Sequence, residues 1–197
     1  MVVKVKYSGG ANNKFPSTSI GGEMSNTEIP GASLNNLWDD TTRVEIINGR
    51  TEYRCFYLDN DSGTDHLRAR LKSLVVPVDA EISFAVNDPQ ETPQLLISED
   101  QTPVGLTFFR FDEWNSLEVA IGSLRDTKRV AIWIKRKVLQ GSESVKMIDF
   151  TIDAIDDTLT ITQDFSSVEN SHDNEAVKPR SPSFFTDVDF CGESLLS

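Results

Sequence analysis

The sequence predicts an all-β protein: an antiparallel immunoglobulin-like or jelly-roll-like β-sandwich with extended N- and C-terminal arms. Three observations predict this class. Short runs in which apolar and polar residues alternate recur through the middle of the 197-residue chain. Clusters of turn-forming residues separate these runs, and no long amphipathic helical pattern competes with them.

Residues 51–58 predict the central strand of this sandwich. They combine three aromatic residues with a cysteine and a leucine, and a turn of sequence Asn-Asp-Ser-Gly follows them. Aromatic and apolar residues at this density are typical of strands, and side chains alternate between the two faces of a strand. One face should carry Tyr53, Cys55 and Tyr57, and the other Arg54, Phe56 and Leu58. Large residues on both faces indicate a strand that is covered on both sides.

Further alternations predict the remaining strands. They lie at residues 74–78, 82–86, 95–97, 106–108, 117–121, 130–138 and 148–154, with a last one at 159–161. Upstream of the central strand, residues 33–40 predict a short helical turn held by the packing of Trp38. Residues 42–47 predict a strand, which Asn48-Gly49 joins to the central strand through a tight hairpin turn.

The chain divides into an N-terminal extended arm at residues 1–32, a β-sandwich domain at 33–162 and an acidic C-terminal tail at 163–197. In the arm, Val3, Val5 and Tyr7 alternate with lysines, which predicts an edge strand or an assembly arm that contacts a partner. The residues that follow carry few apolar side chains to offset the entropy of ordering. We therefore expect an extended, poorly packed segment that lies against its own domain or against neighbours.

The C-terminal tail ends in an aromatic segment. Phe184, Phe185 and Phe190 interrupt an otherwise polar and acidic sequence. Aromatic side chains in such a tail predict a short docking peptide that binds a partner. The alternative is a tail that folds back on its own domain.

Composition excludes several classes of partner. The formal net charge of −12 argues against nucleic acid and anionic membranes, because both reward positive charge. A basic protein surface remains a suitable partner. The N-terminus has no apolar signal region and the chain has no run of eighteen apolar residues, so we expect neither a signal peptide nor a transmembrane helix.

No motif for catalysis or cofactor binding stands out. The two cysteines, Cys55 and Cys191, are expected to be reduced thiols, with a single disulfide as the alternative. His66 and His172 have no partner at metal-ligand spacing. Residues 59–65 resemble a calcium loop, but glycine and glutamate are missing from the positions that an EF-hand requires. We expect a protein that is not an enzyme and holds no cofactor or metal.

One basic cluster stands out in this acidic chain. It consists of Lys135, Arg136 and Lys137, and Trp133 alternates with Lys135 on the outward face if the isoleucines of this strand point inward. The functional interpretation is a contact with an acidic partner, such as the tail of a neighbouring subunit. A solvated sheet edge is the alternative.

The same segments carry a resemblance to a known family. The sequences NNLWDD at 35–40, TEYRCFYLDN at 51–60, IGSL at 121–124 and VAIWIKRKV at 130–138 resemble those of a family of tailed-bacteriophage virion structural proteins. The resemblance covers roughly residues 33 to 155 in the same order. Family members usually carry a Pro-Ala-Gly turn before the tryptophan strand, where this chain has Arg-Asp-Thr.

The resemblance implies a non-enzymatic virion component with an immunoglobulin-like sandwich. Its partners would be other virion proteins, namely capsid, neck or tail subunits, and it would form a homo-oligomer within the particle. Capsid decoration, neck or collar, and tail or baseplate are all compatible positions. A carbohydrate-binding or host-adhesion module is the alternative function, in which Trp38, Trp114 and Trp133 would supply stacking faces.

Overall fold

In the computed structural model, two antiparallel β-sheets are built by strands from both halves of the chain. The structure describes residues 3–31, 36–39, 41–75, 80–110, 119–140, 147–155 and 160–168, and for 67–75, 119–123, 147–155 and 160–168 it describes the backbone. In chain order, the elements in these ranges are β1 (Val3–Tyr7), a 3-10 turn (Pro16–Thr18), α1 (Arg43–Asn48), β2 (Arg50–Asn60), β3 (His66–Val75), β4 (Ala80–Val86), β5 (Phe109–Arg110), β6 (Val119–Leu124), β7 (Arg129–Val138), β8 (Met147–Ile155) and β9 (Thr160–Val168).

The two sheets have the orders β1-β2-β7-β4-β5 (the first sheet) and β6-β3-β8-β9 (the second sheet). The all-β fold with antiparallel pairing predicted from the sequence is confirmed. From β2 to β4, and again from β6 to β8, consecutive strands cross between the sheets. This chain path matches the jelly-roll form of the expected sandwich better than the immunoglobulin form, in which several hairpins stay within one sheet.

The predicted central strand is confirmed as β2. It pairs with β7 along its length and with β1 over residues 56–60. Beyond the end of β1, two irregular segments complete its other edge. The N–H of Tyr53 donates to the carbonyl of Glu99, and the N–H of Cys55 donates to that of Ser19, each at 2.7 Å. The backbone of β2 therefore has partners on both sides, as a buried strand requires.

The two faces of the first sheet carry separate apolar clusters. On the inner face, Phe56, Leu58 and Ile132 pack with Leu124 of β6, which lies in the second sheet. Among the described residues, no second sheet covers the outer face. Its cluster includes Tyr53, Cys55, Tyr57 and Trp133, which pack against Ile20, Met24, Leu96, Leu106 and Phe108. These covering residues belong to two irregular segments, 8–25 and 87–108, which we call the outer cover.

The predicted hairpin before the central strand is wrong. Residues 43–48 form α1, because Thr42 and Glu45 make a reciprocal capping box at its N-terminus. The Thr42 side chain accepts from the N–H of Glu45, and the Glu45 carboxylate accepts from the N–H of Thr42 at 2.8 Å. Gly49, with a φ of 73°, ends the helix instead of forming a two-residue turn. Of the helical turn predicted just upstream, the described residues 36–38 form a bend.

The strands predicted at 95–97 and 106–108 are also wrong. Both lie in the irregular connection between β4 and β5. Leu95 and Ile97 are exposed, whereas Leu96 between them is buried. The proline residues of this segment interrupt a sheet ladder, and the turn at Ser98–Gln101 redirects the chain. At 95–97 the opposite set of side chains therefore faces the core, whereas Leu106 and Phe108 do pack against the outer face of the first sheet.

The N-terminal region is part of the domain and not an arm that needs a neighbour to order it. β1 pairs with β2, and residues 8–25 lie on the outer face of the first sheet. At the other end, β9 extends to Val168, so the sandwich continues beyond the predicted boundary at 162. The rest of the predicted tail lies outside the described residues. In the part of the chain that the structure describes, no helix is long and apolar enough to cross a membrane.

Candidate functional site

Three of the four sequence segments that carry the family resemblance meet at one end of the inner face. Glu52 and Arg54 come from β2, and Arg136 comes from β7, directly opposite Glu52 in the strand register. Trp38 and Asp39 come from the segment before α1. Together with two further charged residues they form what we call the arginine–carboxylate cluster, which consists of Trp38, Asp39, Arg50, Glu52, Arg54, Glu99 and Arg136.

The pair Glu52–Arg136 lies at the centre of this cluster. Both side chains are almost fully buried. Arg136 donates to Glu52 Oε2 through Nε at 2.9 Å and also through Nη2. The other carboxylate oxygen, Oε1, lies 3.0 Å from Arg50 Nε. Hydrogen bonds between charged groups are the strong ones, and here they offset part of the cost of removing both charges from water.

Arg54 and Arg136 both lie against the ring of Trp38. Their guanidinium carbons are 5.1 Å and 4.6 Å from the ring centroid, which is cation–π distance. Arg54 Nε also donates to the carbonyl of Leu37 at 3.2 Å. The exposed Asp39 carboxylate lies 3.6 Å and 3.8 Å from the Nη2 atoms of Arg54 and Arg136. The segment before α1 is thus held onto the sheet by the two arginines.

Glu99 and Arg50 extend the cluster toward the surface. Glu99 accepts from Arg54 Nη2 and from Arg50 Nη2, and Arg50 also binds Glu45 of α1. Through these contacts the helix, the long β4–β5 connection and the sheet are tied together at one point. Burial raises the pKa of the Glu52 carboxyl, and the charge of Arg136 acts in the opposite direction.

The carboxylates of this cluster are spaced closely enough to bind a metal ion, but their oxygens are already engaged by arginines. Oxygens of Asp39, Glu52 and Glu99 lie within 4.8 Å of one another. Each carboxylate, however, already faces at least one guanidinium, and both oxygens of Glu52 are engaged. A cation would have to displace arginines, and a general acid or base needs an oxygen free to reach a substrate. The arrangement is suited to holding the fold.

The predicted partner-binding residues of β1 are buried. Val3, Val5 and Tyr7 lie in the inner cluster of the domain, and the Tyr7 hydroxyl donates to the carbonyl of Asn36 at 2.7 Å. Side chains that fill the protein's own core are not available to a partner. The structure therefore corrects their assignment as contact residues.

The predicted basic cluster is divided among three environments. Trp133 does face away from the isoleucines of β7, but the outer cover buries it. Lys135, on the same face, lies 5.7 Å from the centroid of the Phe108 ring. Arg136 points into the inner face, and Lys137 is exposed, 3.5 Å from Glu81. The three basic side chains of the predicted cluster therefore do not form one continuous surface.

The remaining predicted site residues lie outside the described part of the chain. These are Phe184, Phe185 and Phe190 of the docking segment, and Trp114 of the carbohydrate-binding alternative. The other two tryptophans of that alternative, Trp38 and Trp133, are buried and present no face on which a sugar can stack.

Two features of the site were missed by sequence reasoning. The first is the arginine–carboxylate cluster. The sequence did contain a signal for it, because charged residues occupy the same strand face as apolar core residues: Glu52 and Arg54 share a face with Phe56, and Arg136 shares one with Ile134. The second is the exposed apolar surface of the β4–β5 connection, which the predicted strand at 95–97 placed inward.

A polar cleft of about 160 Å³ adjoins this connection, lined in part by Glu23, Asp88, Glu91, Tyr57 and Arg129.

Comparisons with known proteins add little. No protein-family model matches the chain, and no curated protein matches it. Among solved structures, it is similar to a family 123 glycoside hydrolase from Clostridium perfringens, studied for glycolipid glycan hydrolysis, at 14% identity and a TM-score of 0.37. The match covers 68% of this chain and 23% of the hydrolase. This likeness is too slight to transfer a fold or an activity.

Proposed function

We propose that this chain is a structural component of a tailed-phage virion and not an enzyme. In this role it serves as a capsid-decoration, neck or collar, or tail or baseplate accessory protein. Its sandwich binds neighbouring virion proteins, and it is present in several copies within the particle. The observation that supports the proposal most is that three of the sequence segments resembling tailed-phage virion proteins converge on the arginine–carboxylate cluster.

In the folded domain, these segments are joined by contacts between their side chains. Residues far apart in sequence, such as Glu52 and Arg136, form a buried pair, and Trp38 lies against the arginines. Every side chain in this set forms an ion pair or a cation–π contact with another side chain of the same set. Such a set specifies one fold, and a fixed, self-sufficient domain is what a repeated building block of a particle requires.

The structure changes which parts of the chain are candidates for binding. Residues 3–31 belong to the domain, so binding is assigned to the outer surface of the sandwich and to residues 169–197. Phe184, Phe185 and Phe190 remain the proposed docking segment of the tail. Aromatic residues on a short peptide can anchor it in pockets of a neighbouring subunit.

Truncation after Val168, which ends β9, tests this assignment. The truncated chain should keep the circular dichroism spectrum and unfolding midpoint of the full chain, because the described sandwich is intact. Its incorporation into particles of the phage that encodes the sequence should fall. A full-length variant with Phe184→Ser, Phe185→Ser and Phe190→Ser separates the aromatic anchors from tail length. Normal incorporation of both variants would sink the proposed role of the tail.

Particles that lack the chain altogether would overturn the proposed function itself. The matching experiment is a reconstruction of the whole virion in which density for the sandwich is sought at the capsid, neck and tail. Density at symmetry-related positions would support the proposal and would also fix the position, the copy number and the contacting surface.

A further inference from the structure

We propose that residues 94–104, in the connection between β4 and β5, form a docking surface for a partner protein whose contact surface is apolar and rimmed by lysine or arginine. This inference rests on the proposed binding function and deepens it, because it names the surface and the chemistry of the partner. Three observations carry it: outward apolar side chains, a backbone held to the domain by hydrogen bonds, and exposed carboxylates that form no ion pair with a described residue.

Apolar side chains point to solvent at three positions in this short segment. Leu95 is 62% exposed, Ile97 93% and Val104 80%. Single exposed apolar residues are common on protein surfaces, but a local group of large ones is characteristic of interaction sites. The side-chain oxygen of Gln94 accepts from the N–H of Val104 at 3.2 Å, which brings the two ends of the segment together. The three apolar residues are therefore carried by one closed loop.

The loop is fixed to the domain at several points. Leu96 is buried, and its N–H donates to the carbonyl of Ile20 at 2.9 Å. The carbonyl of Glu99 accepts from the N–H of Tyr53, and the Tyr53 hydroxyl lies 3.1 Å from Thr102 Oγ1. A loop whose backbone is already ordered loses little conformational entropy on binding. Because these hydrogen bonds fix the backbone, the apolar side chains stay exposed to solvent and cannot turn into the core.

The charge around the loop selects the partner. No lysine or arginine occurs between Lys72 and Arg110. Asp88, Glu91 and Asp100 are exposed, and none of the three forms an ion pair with a described residue. An apolar loop with exposed carboxylates within it and just before it in the chain is complementary to an apolar surface that carries lysine or arginine. A second copy of the same surface would bring like charges together, in a chain whose net charge is already −12.

A titration followed by nuclear magnetic resonance tests the surface with defined probes. One probe is a short peptide of alternating lysine and leucine, and the other has glutamate in place of lysine. The lysine peptide should shift backbone amide signals of residues 94–104, and the glutamate peptide should not. Shifts spread over other acidic surfaces without a maximum in this loop, or equal shifts with both peptides, would overturn the inference.

Paired substitutions make the test specific. Ile97→Ser with Val104→Ser should weaken the lysine peptide roughly tenfold, while Leu95, which packs on Gly22, is left in place. The matched control is Val44→Ser with Ile47→Ser, which removes two exposed apolar side chains from α1. The control should bind as the parent chain does. Equal loss in the two variants would overturn the inference, because general surface apolarity would then explain the binding.

A particle assay separates this inference from the proposed function. If the parent chain is found in purified particles, the loop variant should incorporate less than the α1 variant, and equal incorporation would contradict the docking surface. If the parent chain is not found in particles, the proposed function fails. The peptide titration then still decides whether the loop binds basic, apolar surfaces.

Discussion

The two covers of the first sheet exclude water equally well by different means. On the inner face, Leu124 of the regular strand β6 in the second sheet packs in one cluster with Phe56 and Ile132. On the outer face, two irregular segments bury Cys55 and Trp133 just as completely. The difference shows that a segment poor in apolar residues can serve as a cover when its polar groups are satisfied within it.

The hydrogen bonds of residues 8–25 explain how this segment orders itself. The Asn13 side chain donates to the carbonyl of Ser8 and accepts from Thr18 Oγ1 at 2.6 Å. The N–H of Ser25 donates to the carbonyl of Tyr7, which joins the segment to β1 at 2.8 Å. Buried polar groups with partners cost little, so few apolar contacts suffice to hold the segment in place.

Removing a buried charge from the inner face should lower the free energy of unfolding more than any other change proposed here. Arg136→Met leaves Glu52 buried without its main partner and should lower the free energy of unfolding by about 3–5 kcal/mol. Urea unfolding followed by circular dichroism measures this. Lys137→Met, at the exposed neighbouring position, should stay within about 0.5 kcal/mol of the parent. Adding Glu52→Leu to Arg136→Met should recover part of the loss, and a further loss in the double variant would contradict the pairing.

The outer cover should be most sensitive to added volume at Gly21. A Cβ atom there would lie 1.9 Å from the Gln94 carbonyl oxygen and 3.0 Å from Trp133 Cη2, at a φ of +97°. Gly21→Ala should cost about 2–4 kcal/mol through backbone strain and separation of the two covering segments.

Gly10 is the matched control for this substitution. Its φ is +98°, but an added Cβ would meet no atom within 4 Å. Gly10→Ala should therefore cost only the backbone strain, about 1–2 kcal/mol. Equal costs at the two glycines would show that the segments of the outer cover are not in close contact.

Part of this comparison was predictable from sequence and part was not. Period-two alternation places β2 and β7 correctly, because a strand buried on both faces needs large residues on both. The same alternation misplaces Leu95 and Ile97, since it cannot distinguish inward from outward residues in a loop. The Glu52–Arg136 pair joins residues that are distant in sequence, so its charges predict burial but not the identity of the partner.

The capping box of α1 should have a smaller effect. Thr42→Ala removes the side-chain acceptor for the N–H of Glu45 and should cost about 1 kcal/mol in chemical denaturation. Val44→Ala, on the exposed side of the same helix, is the control and should change stability by less than about 0.5 kcal/mol. If the control costs as much as Thr42→Ala, the N-cap does not determine the stability of this helix.

The alkylation rate of Cys55 should show whether the outer cover opens, and this test needs no substitution in the sandwich. Burial raises the pKa of the Cys55 thiol, and the thiolate is the form that reacts. In a Cys191→Ser background, iodoacetamide at pH 8 should leave Cys55 unmodified in the folded protein and alkylate it in urea, as read by mass spectrometry. Rapid alkylation without urea would mean that the outer cover opens readily, unlike the inner one.

The central proposal is that this sandwich is a building block of a virion. Quantitative mass spectrometry of purified, salt-washed particles from a culture that expresses the sequence tests it most directly. The chain should be present in a constant ratio to the major capsid protein, and the ratio should not change between preparations. A chain found only in the unassembled fraction of the lysate would contradict the claim.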